Sequence, residues 1–272
     1  MIEAEERIIY KCADEFGDIH VAEKGLIRTL YFGNEKKQSC VFLPDPTVLV
    51  LHYAQAMTTS ILLNPNPKKI LIVGLGGGSL LQFISKVYPN AKIEVLELRE
   101  KVIELSHEFF YVPEEIPNVK IICTDAKDYI EKKTKKNSQE YDLMLIDAFD
   151  AWGPSELTKD EIFLTACQAM LTCHGVMSIN LWNRKEDYFN FVSRRLSSLF
   201  NGGILQLKLG KVDSNVIVFC FADHEKAQEI TKLKTEAAEQ KENLGIDYVR
   251  FVKLLASQNF SFVERIKKRV SI

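Results

Sequence analysis

The sequence has neither a long apolar run nor an excess of basic residues. A membrane-spanning helix needs about 18 consecutive apolar residues, and no stretch of the chain approaches that length. The 35 Lys and Arg residues are balanced by 37 Asp and Glu residues, so the net charge of −2 provides no basic footprint for nucleic acid. The N-terminal segment is acidic and lacks the apolar core of a secretory signal. These absences predict a cytoplasmic globular protein that binds neither nucleic acid nor membrane.

Motifs for metal binding and for redox chemistry are also missing. The six cysteines include no CxxC pair, and the five histidines show neither HxH nor HxxxH spacing. Zinc sites and thiol–disulfide motifs are recognised by such close spacings. We therefore expect no metal site, and we expect reduced, buried thiols of the kind usual in cytosolic proteins.

The first part of the chain is predicted to form a small antiparallel β unit. Residues 1–46 contain four short β-like runs that are separated by turn signals, and they show no helix-length periodicity. Pro44 and Pro46 end this unit, and a helix is expected to follow over residues 47–62.

The next part, residues 47–222, alternates apolar strand-like runs with helix-like stretches. This alternation indicates βαβ units, whose strands form a parallel sheet buried on both faces. Because such crossovers are right-handed, the sheet should be doubly wound. The predicted strands of this series are 70–73, 92–96, 119–123, 143–146 and 176–179.

Two further strands are predicted at 204–209 and 216–221, with only six residues between them. Because a parallel crossover needs a longer connection, these strands should be antiparallel neighbours. A parallel sheet that ends in an antiparallel hairpin is typical of adenosylmethionine-dependent enzymes. The fold class is therefore predicted as α/β, with a Rossmann-like, methyltransferase-type seven-stranded sheet. Residues 223–272 are charged and helix-prone, and we expect a C-terminal helical tail.

The first chemical motif is a glycine-rich turn between a predicted strand and a predicted helix. Gly74, Gly76, Gly77 and Gly78 follow the apolar run at 70–73. Glycines at such a turn let the backbone approach a ligand closely, and the helix N-terminus offers unpaired N–H groups. The turn predicts a nucleotide-type ligand; the alternative is a tight turn that needs glycine only for its geometry.

Three acidic positions follow the glycine turn at successive strand ends. Glu97 ends the second strand, 23 residues after Gly74, where an acid can accept hydrogen bonds from ribose hydroxyls; a solvated carboxylate is the alternative. Asp125 and Ala126 follow the third strand, where Asp125 could bind an adenine amino group, cap the next helix, or do both.

The third position is a pair of acids, Asp147 and Asp150, which follows the fourth strand. Two uncompensated carboxylates beside an apolar strand are costly without a cationic partner, which an amine or a sulfonium would supply. Asp150 has a competing interpretation as the cap of a turn towards Gly153 and Pro154.

In this order, the motifs resemble those of the polyamine aminopropyltransferases, of which spermidine synthase is the best known. The resemblance covers roughly residues 5–222. It implies that an aminopropyl group moves from decarboxylated S-adenosylmethionine to a di- or polyamine, without a metal. It also implies a homodimer.

The resemblance implies roles for individual residues. On the cofactor side, Gln55 matches a cofactor-contacting glutamine, Glu97 would hold the ribose, and Asp125 with Ala126 would border the adenine. The four glycines of the turn would line the same cofactor.

On the amine side, Asp147 would orient and deprotonate the attacking amine. Asp150 and Tyr53 would help to bind it.

The sequence departs from the family pattern in ways that affect both substrates. Gly77 stands where the family's loop has an aspartate, which holds the ammonium end of the decarboxylated donor and repels the carboxylate of ordinary S-adenosylmethionine. Around Lys211 the chain lacks the tyrosine that the family places against the diamine near the last hairpin, and Ala56 replaces a further acid. The chain is closer to a divergent, spermidine synthase-like branch.

Two other hypotheses remain open. The loss of repulsion at Gly77 favours an S-adenosylmethionine-dependent methyltransferase on the same sheet. A non-catalytic protein that keeps the nucleoside pocket is the other, although the retention of Asp147 and Asp150 argues against it.

Overall fold

A four-stranded antiparallel sheet at the N-terminus confirms the predicted β unit. The computed structural model describes residues 5–33, 36–136, 139–150, 153–184, 186–210 and 214–260. In this sheet, neighbours in sequence are neighbours in space, in the order β1-β2-β3-β4. The strands are β1 (Arg7–Asp14), β2 (Gly17–Lys24), β3 (Ile27–Phe32) and β4 (Lys36–Phe42).

The central sheet has seven strands in the order β12-β13-β11-β8-β5-β6-β7. Strands β9 and β10 pair only with each other, as a short hairpin. The hairpin strands are β9 (Phe149–Asp150) and β10 (Gly153–Pro154). The seven strands of the central sheet are β5 (Lys69–Val73), β6 (Lys92–Glu97), β7 (Val119–Cys123), β8 (Tyr141–Ile146), β11 (Leu171–Trp182), β12 (Ile204–Lys208) and β13 (Asn215–Phe221). The pairs β11–β13 and β12–β13 are antiparallel and the other pairs of this sheet are parallel, which confirms the predicted terminal hairpin.

Helices cover both faces of this sheet, as its apolar strands require. Ile70 and Ile72 of β5 face a core shared with α1, α2, α3, α8 and α9, whereas Leu71 and Val73 face a core shared with α5, α6 and α7. The helices are α1 (His52–Met57), α2 (Ser60–Leu63), α3 (Ser79–Val87), α4 (Glu100–Phe109), α5 (Ala126–Thr134), α6 (Glu161–Met170), α7 (Glu186–Leu199), α8 (Lys234–Leu244) and α9 (Tyr248–Asn259), with 3-10 turns at Glu156–Lys159 and His224–Lys232.

Two local expectations are wrong. The helix expected over 47–62 begins only at His52 and is interrupted after Met57. Its expected start lies in a turn instead, because Asp45 accepts hydrogen bonds from the backbone and hydroxyl of Thr47. The six thiols are free, but Cys123 and Cys173 are exposed. Cys123 is exposed because β7 is an edge strand of the sheet.

The C-terminal tail packs against the central sheet over the part that the structure describes, up to residue 260. Its last helix, α9, covers the free edge of β12 with two side-chain amides. Asn259 exchanges two hydrogen bonds of 2.8 Å with the backbone of Gln206, and Gln258 does the same with Lys208 at 2.8 and 3.0 Å. The carboxamides thus occupy backbone groups that an edge strand would otherwise leave unpaired.

The small sheet packs on α4. Val21, Leu30 and Val41 of the small sheet share a buried cluster with Leu105 and Phe110. This contact brings β3 and β4 next to the carboxyl ends of the central strands. The division at 1–46, 47–222 and 223–272 stays a prediction.

Candidate active site

A cleft opens where the carboxyl ends of the parallel strands meet the small sheet, at the position expected for a ligand in an open α/β sheet. The acids predicted from the sequence all line it. The charged side chains that line the cleft are Glu97, Arg99, Asp125, Asp147 and Asp150. The aromatic and uncharged polar side chains that line it include Phe16, Phe32, Gln38, Ser39, Tyr53, Asn180, Trp182 and Asn215.

The glycine turn brings three chain segments close together. A Cβ atom at Gly74, where φ is +93°, would lie 2.3 Å from the backbone oxygen of Asp147. A Cβ atom at Gly76 would lie 3.0 Å from the Cβ atom of Ser39. Glycine at these positions therefore allows the tips of β5 and β8 and the small sheet to approach each other around the cleft.

The last two glycines of the turn face away from the cleft. A Cβ atom at Gly77 would lie 2.7 Å from the ring of Phe110, which is fully buried, and one at Gly78 would lie 2.2 Å from Val112. Neither glycine is among the described residues that line the cleft. An aspartate at position 77 would require Phe110 to move.

Glu97 connects the glycine turn to the end of β6. Its Oε2 accepts a hydrogen bond of 2.8 Å from the Leu75 N–H, and its Oε1 accepts one of 3.0 Å from the Arg99 N–H. Burial raises the pKa of this carboxyl group, and the backbone N–H groups oppose the shift by stabilising the carboxylate. The side chain is thus held rigidly at the wall of the cleft.

Asp125 caps α5 and also borders the cleft. Its Oδ1 accepts hydrogen bonds from the N–H groups of Lys127, at 2.8 Å, and Asp128, at 3.2 Å. Both Asp125 and Ala126 line the cleft. The capping interaction is therefore compatible with the binding role that the strand-end position suggested.

Asp147 lies at the centre of a hydrogen-bonded group. Its Oδ2 accepts a bond of 3.2 Å from the Tyr53 hydroxyl, and its Oδ1 accepts one of 2.8 Å from the side-chain amide of Asn180. Burial raises the pKa of Asp147 to about 6, although the bonds from Asn180 and Tyr53 lower it. A carboxyl group with such a pKa can exchange a proton near neutral pH.

Asp150 lies at the exposed rim of the same cleft. Its Oδ1 accepts a hydrogen bond of 3.0 Å from the Gly153 N–H, which closes the β9–β10 hairpin. The backbone oxygen of Asp150 accepts a bond of 3.3 Å from the side chain of Gln38. Asp150 therefore caps the turn towards Gly153, and its carboxylate also lies at the edge of the cleft.

Gln55 does not join this group of residues. Its side-chain amide donates a hydrogen bond of 2.7 Å to the backbone oxygen of Leu49, and it is not among the described residues that line the cleft. Lys211 lies outside the described residues.

Several cleft residues escaped the sequence reasoning. Gln38 and Ser39 belong to β4 of the small sheet, a part of the chain in which the sequence indicated no site residue. Asn180 is fully buried within the apolar strand β11, and a polar residue in such a strand was the available signal. Arg99, Trp182 and Asn215 carry no comparable signal because only the tertiary structure brings them to the cleft.

Two structural observations concern metals and membranes. No group of three or more His, Cys, Asp or Glu side chains in the described part of the chain could hold a metal ion. Within the same part, no helix has both the length and the apolar character needed to cross a membrane.

The fold and the cleft define an α/β enzyme with a methyltransferase-type sheet and an acidic ligand site at its strand tips. The family model of the spermine/spermidine synthase domain matches residues 51–232. A polyamine aminopropyltransferase of Chromobacterium violaceum is 32% identical over 253 residues, which cover 93% of this chain and 95% of that relative. The chain therefore belongs to the spermine/spermidine synthase family, and it is a spermidine synthase-like enzyme of the transferase class.

Solved structures agree with this fold. A spermidine synthase in complex with the transition state analogue AdoDATO has a TM-score of 0.70 and 20% identity, over 97% of this chain and 88% of that chain. Human methyltransferase-like protein 13 in complex with SAH has a TM-score of 0.57 and 25% identity, over 63% of this chain and 82% of that chain. The sheet is thus common to both kinds of transferase.

Proposed function

We propose that the protein transfers an aminopropyl group from decarboxylated S-adenosylmethionine to a di- or polyamine. The observation that carries this proposal is the position of Asp147, at a strand tip between Tyr53 and Asn180 and in the same cleft as Glu97. Both proposed substrates are cations. Four carboxylates line the described cleft, and its one arginine, Arg99, already pairs with Asp14.

In the proposed reaction, the amine nitrogen attacks the propyl carbon that is bonded to the sulfonium sulfur. The new C–N bond forms as the C–S bond breaks. The electron pair of the C–S bond stays on the sulfur, and the sulfur leaves as part of 5′-methylthioadenosine. The sulfonium is already an activated leaving group, so the protein mainly has to align the amine, and good alignment can lower the barrier by about 7 kcal/mol or more. The amine's proton passes to the carboxylate of Asp147.

The proposed roles follow the positions of the side chains. Glu97 would hold the ribose, and Asp125 with Ala126 would border the adenine. Tyr53 and Asp150 would contact the amine at the other end of the cleft. Gln55 would act on the cofactor only if its amide left the Leu49 oxygen.

A methyltransferase activity is the second candidate. It is favoured by the absence of an acid at Gly77, because the aspartate that the family carries at this position repels the carboxylate of S-adenosylmethionine. The Cβ position of Gly77 points at Phe110 and away from the cleft, so this argument rests on the sequence pattern and not on a contact in the cleft. The human methyltransferase-like protein 13, with SAH bound, supports the same alternative.

One experiment separates the two candidates. The protein is incubated with decarboxylated S-adenosylmethionine or S-adenosylmethionine and a panel of diamines and triamines, and the nucleoside product is identified by mass. Release of 5′-methylthioadenosine with an aminopropylated amine supports the proposal. Formation of S-adenosylhomocysteine, together with tighter calorimetric binding of S-adenosylmethionine than of its decarboxylated form, would contradict the proposal and support methyl transfer.

The family resemblance also supports a homodimer in the cytoplasm, which we include in the proposal. Light scattering of the purified protein would give the mass directly. A monomer of 31.1 kDa at micromolar concentration would contradict the dimer.

A further inference from the structure

Three neighbouring strand tips carry a chain of hydrogen bonds that ends on Asp147. Ile179 of β11 is in register with Ile146 of β8, so Asn180 lies beside Asp147, the next residue along. Trp182 is in register with Asn215, which begins β13. The side-chain amide of Asn215 donates a bond of 2.8 Å to Oδ1 of Asn180, whose own amide donates to Asp147 at 2.8 Å.

This chain fixes the orientation of the Asn180 side chain. Because the Asn180 oxygen accepts from Asn215, its Nδ2 must face the carboxylate; the flipped amide would set an oxygen against Oδ1 of Asp147. Asn180 is only 1% exposed, so water cannot readily replace either bond. The buried amide therefore requires an unprotonated Oδ1.

The other carboxylate oxygen has a different neighbour. The Tyr53 hydroxyl lies 3.2 Å from Oδ2 of Asp147 and 3.1 Å from the backbone oxygen of Gln38. A hydroxyl has a single proton, so it donates fully to only one of these two acceptors at a time. The two oxygens of Asp147 thus differ: Oδ1 faces a fixed donor, and Oδ2 faces a donor that can turn away.

We propose that Asn180, locked by Asn215, is a positioning residue that directs the substrate proton onto Oδ2 of Asp147. The proton leaves the amine nitrogen and bonds to Oδ2, while the Tyr53 proton turns from Oδ2 to the Gln38 oxygen. No electrons are exchanged with a further reactant. This inference rests on the proposed role of Asp147 as the base.

The effect of Asn180 on Asp147 can be measured as a change in the pKa of the Asp147 carboxyl group. The titratable and charged groups that line the same cleft in the described structure are Tyr53, Glu97, Arg99, Asp125 and Asp150. Burial raises the pKa of Asp147, and the bonds from Asn180 and Tyr53 lower it. Removal of the oriented amide should therefore raise this pKa further.

The test is a difference-infrared pH titration of the carboxyl band of Asp147, assigned by its absence in Asp147→Asn. We expect the midpoint to move upward by about one pH unit in Asn180→Ala, because a hydrogen bond to a charged group is lost. Asn215→Ala should move it in the same direction by less, although this residue does not touch Asp147. Asn190→Ala, which removes an amide from α7, is the matched control and should leave the midpoint unchanged.

The titration needs no substrate, so it separates this inference from the proposed function. Unchanged midpoints in both Asn180→Ala and Asn215→Ala, with wild-type near-ultraviolet circular dichroism, would overturn the positioning role. If Asn180→Ala does not fold, Asn215→Ala decides alone. A shifted midpoint in a protein that transfers no aminopropyl group would overturn the proposed function but support the orientation of the carboxylate. In an active enzyme, the acidic limb of kcat/KM should follow the infrared midpoint.

Discussion

The guanidinium group of Arg99 binds both carboxylate oxygens of Asp14, through Nε at 2.9 Å and Nη2 at 2.6 Å. The two side chains are 7% and 11% exposed, and Arg99 also lies 4.3 Å from the ring centre of Phe32. Arg99 follows Glu97 by two residues, and Asp14 ends the first strand of the small sheet. The ion pair therefore connects the two sheets next to the cleft.

Removal of Asp14 should destabilise the protein because it leaves a buried guanidinium with the Gly17 carbonyl as its remaining acceptor. We expect Asp14→Ala to lower the free energy of unfolding by about 3 kcal/mol, as measured by urea denaturation. Lys132→Ala, which breaks an ion pair of exposed side chains, should cost less than about 1 kcal/mol. Equal losses in the two variants would contradict a structural role of the buried pair.

The contribution of the Arg99–Asp14 ion pair to the free energy of unfolding should also depend on pH. Burial would raise the pKa of Asp14, but hydrogen bonds from Arg99 and from the Phe16 N–H outweigh it and hold the pKa below its usual value. A lowered native pKa stabilises the protein above the unfolded-state pKa, and this stabilisation is lost as the pH falls. The difference between wild type and Asp14→Ala should therefore shrink below about pH 4.

The two acids after β8 should have separable effects on activity. Asp147→Asn should lower kcat by about 10²- to 10⁴-fold, the usual range for loss of a general base, with little change in affinity for 5′-methylthioadenosine. Asp150→Asn should mainly raise KM for the amine, because Asp150 lies at the exposed rim. Equal losses of turnover and nucleoside affinity in Asp147→Asn would count against the catalytic role.

The raised pKa of Asp147 predicts opposite trends for activity and stability. Activity needs the carboxylate, so kcat/KM should fall below about pH 6. A raised native pKa stabilises the fold at low pH, and this stabilisation is lost as the pH rises through about 6. Asp147→Asn should therefore be more stable than wild type by about 2 kcal/mol at pH 8 and not at pH 4. A constant difference across this range would contradict the shift.

Gly74 should tolerate no side chain. Gly74→Ala would set a Cβ atom 2.3 Å from the backbone oxygen of Asp147, where backbone cannot easily yield, and φ is +93°. We expect a loss of more than about 3 kcal/mol in unfolding free energy, together with lower turnover from a displaced Asp147. Gly25 is the matched control, because its φ is +60° and nothing lies within 4 Å of its Cβ position. Gly25→Ala should lose about 1 kcal/mol, and its turnover should not change.

The amides of α9 should protect the edge of the central sheet. In the double variant Gln258→Ala and Asn259→Ala, the backbone N–H groups of Gln206 and Lys208 lose their acceptors. Hydrogen exchange at these two amides should accelerate, and the protein should self-associate more readily through the exposed edge. Ser257→Ala, on the same helix, should change neither property. Unaltered exchange in the double variant would show that the amides do not seal the edge.

Much of this architecture could be predicted because the signals were local. The apolar run of β5, the glycine turn and the short gap before β13 each fix an element through its own residues. The helix expected over 47–62 was wrong because a turn held by Asp45 displaces its start. The position of Gln55 could not be predicted either, because its side-chain amide bonds to the backbone oxygen of Leu49 and no sequence motif indicates this contact.

By itself, the sequence determined the order of strands and helices and the acids at the strand ends, because periodicity and spacing are properties of neighbouring residues. Only the tertiary structure decided what each acid contacts. Strand register places Asn180 beside Asp147 and Asn215 beside Asn180, and Phe110 fills the space beside Gly77 from the end of α4. Burial and hydrogen bonding set the ionisation of a carboxyl group, and both depend on residues far apart in the chain.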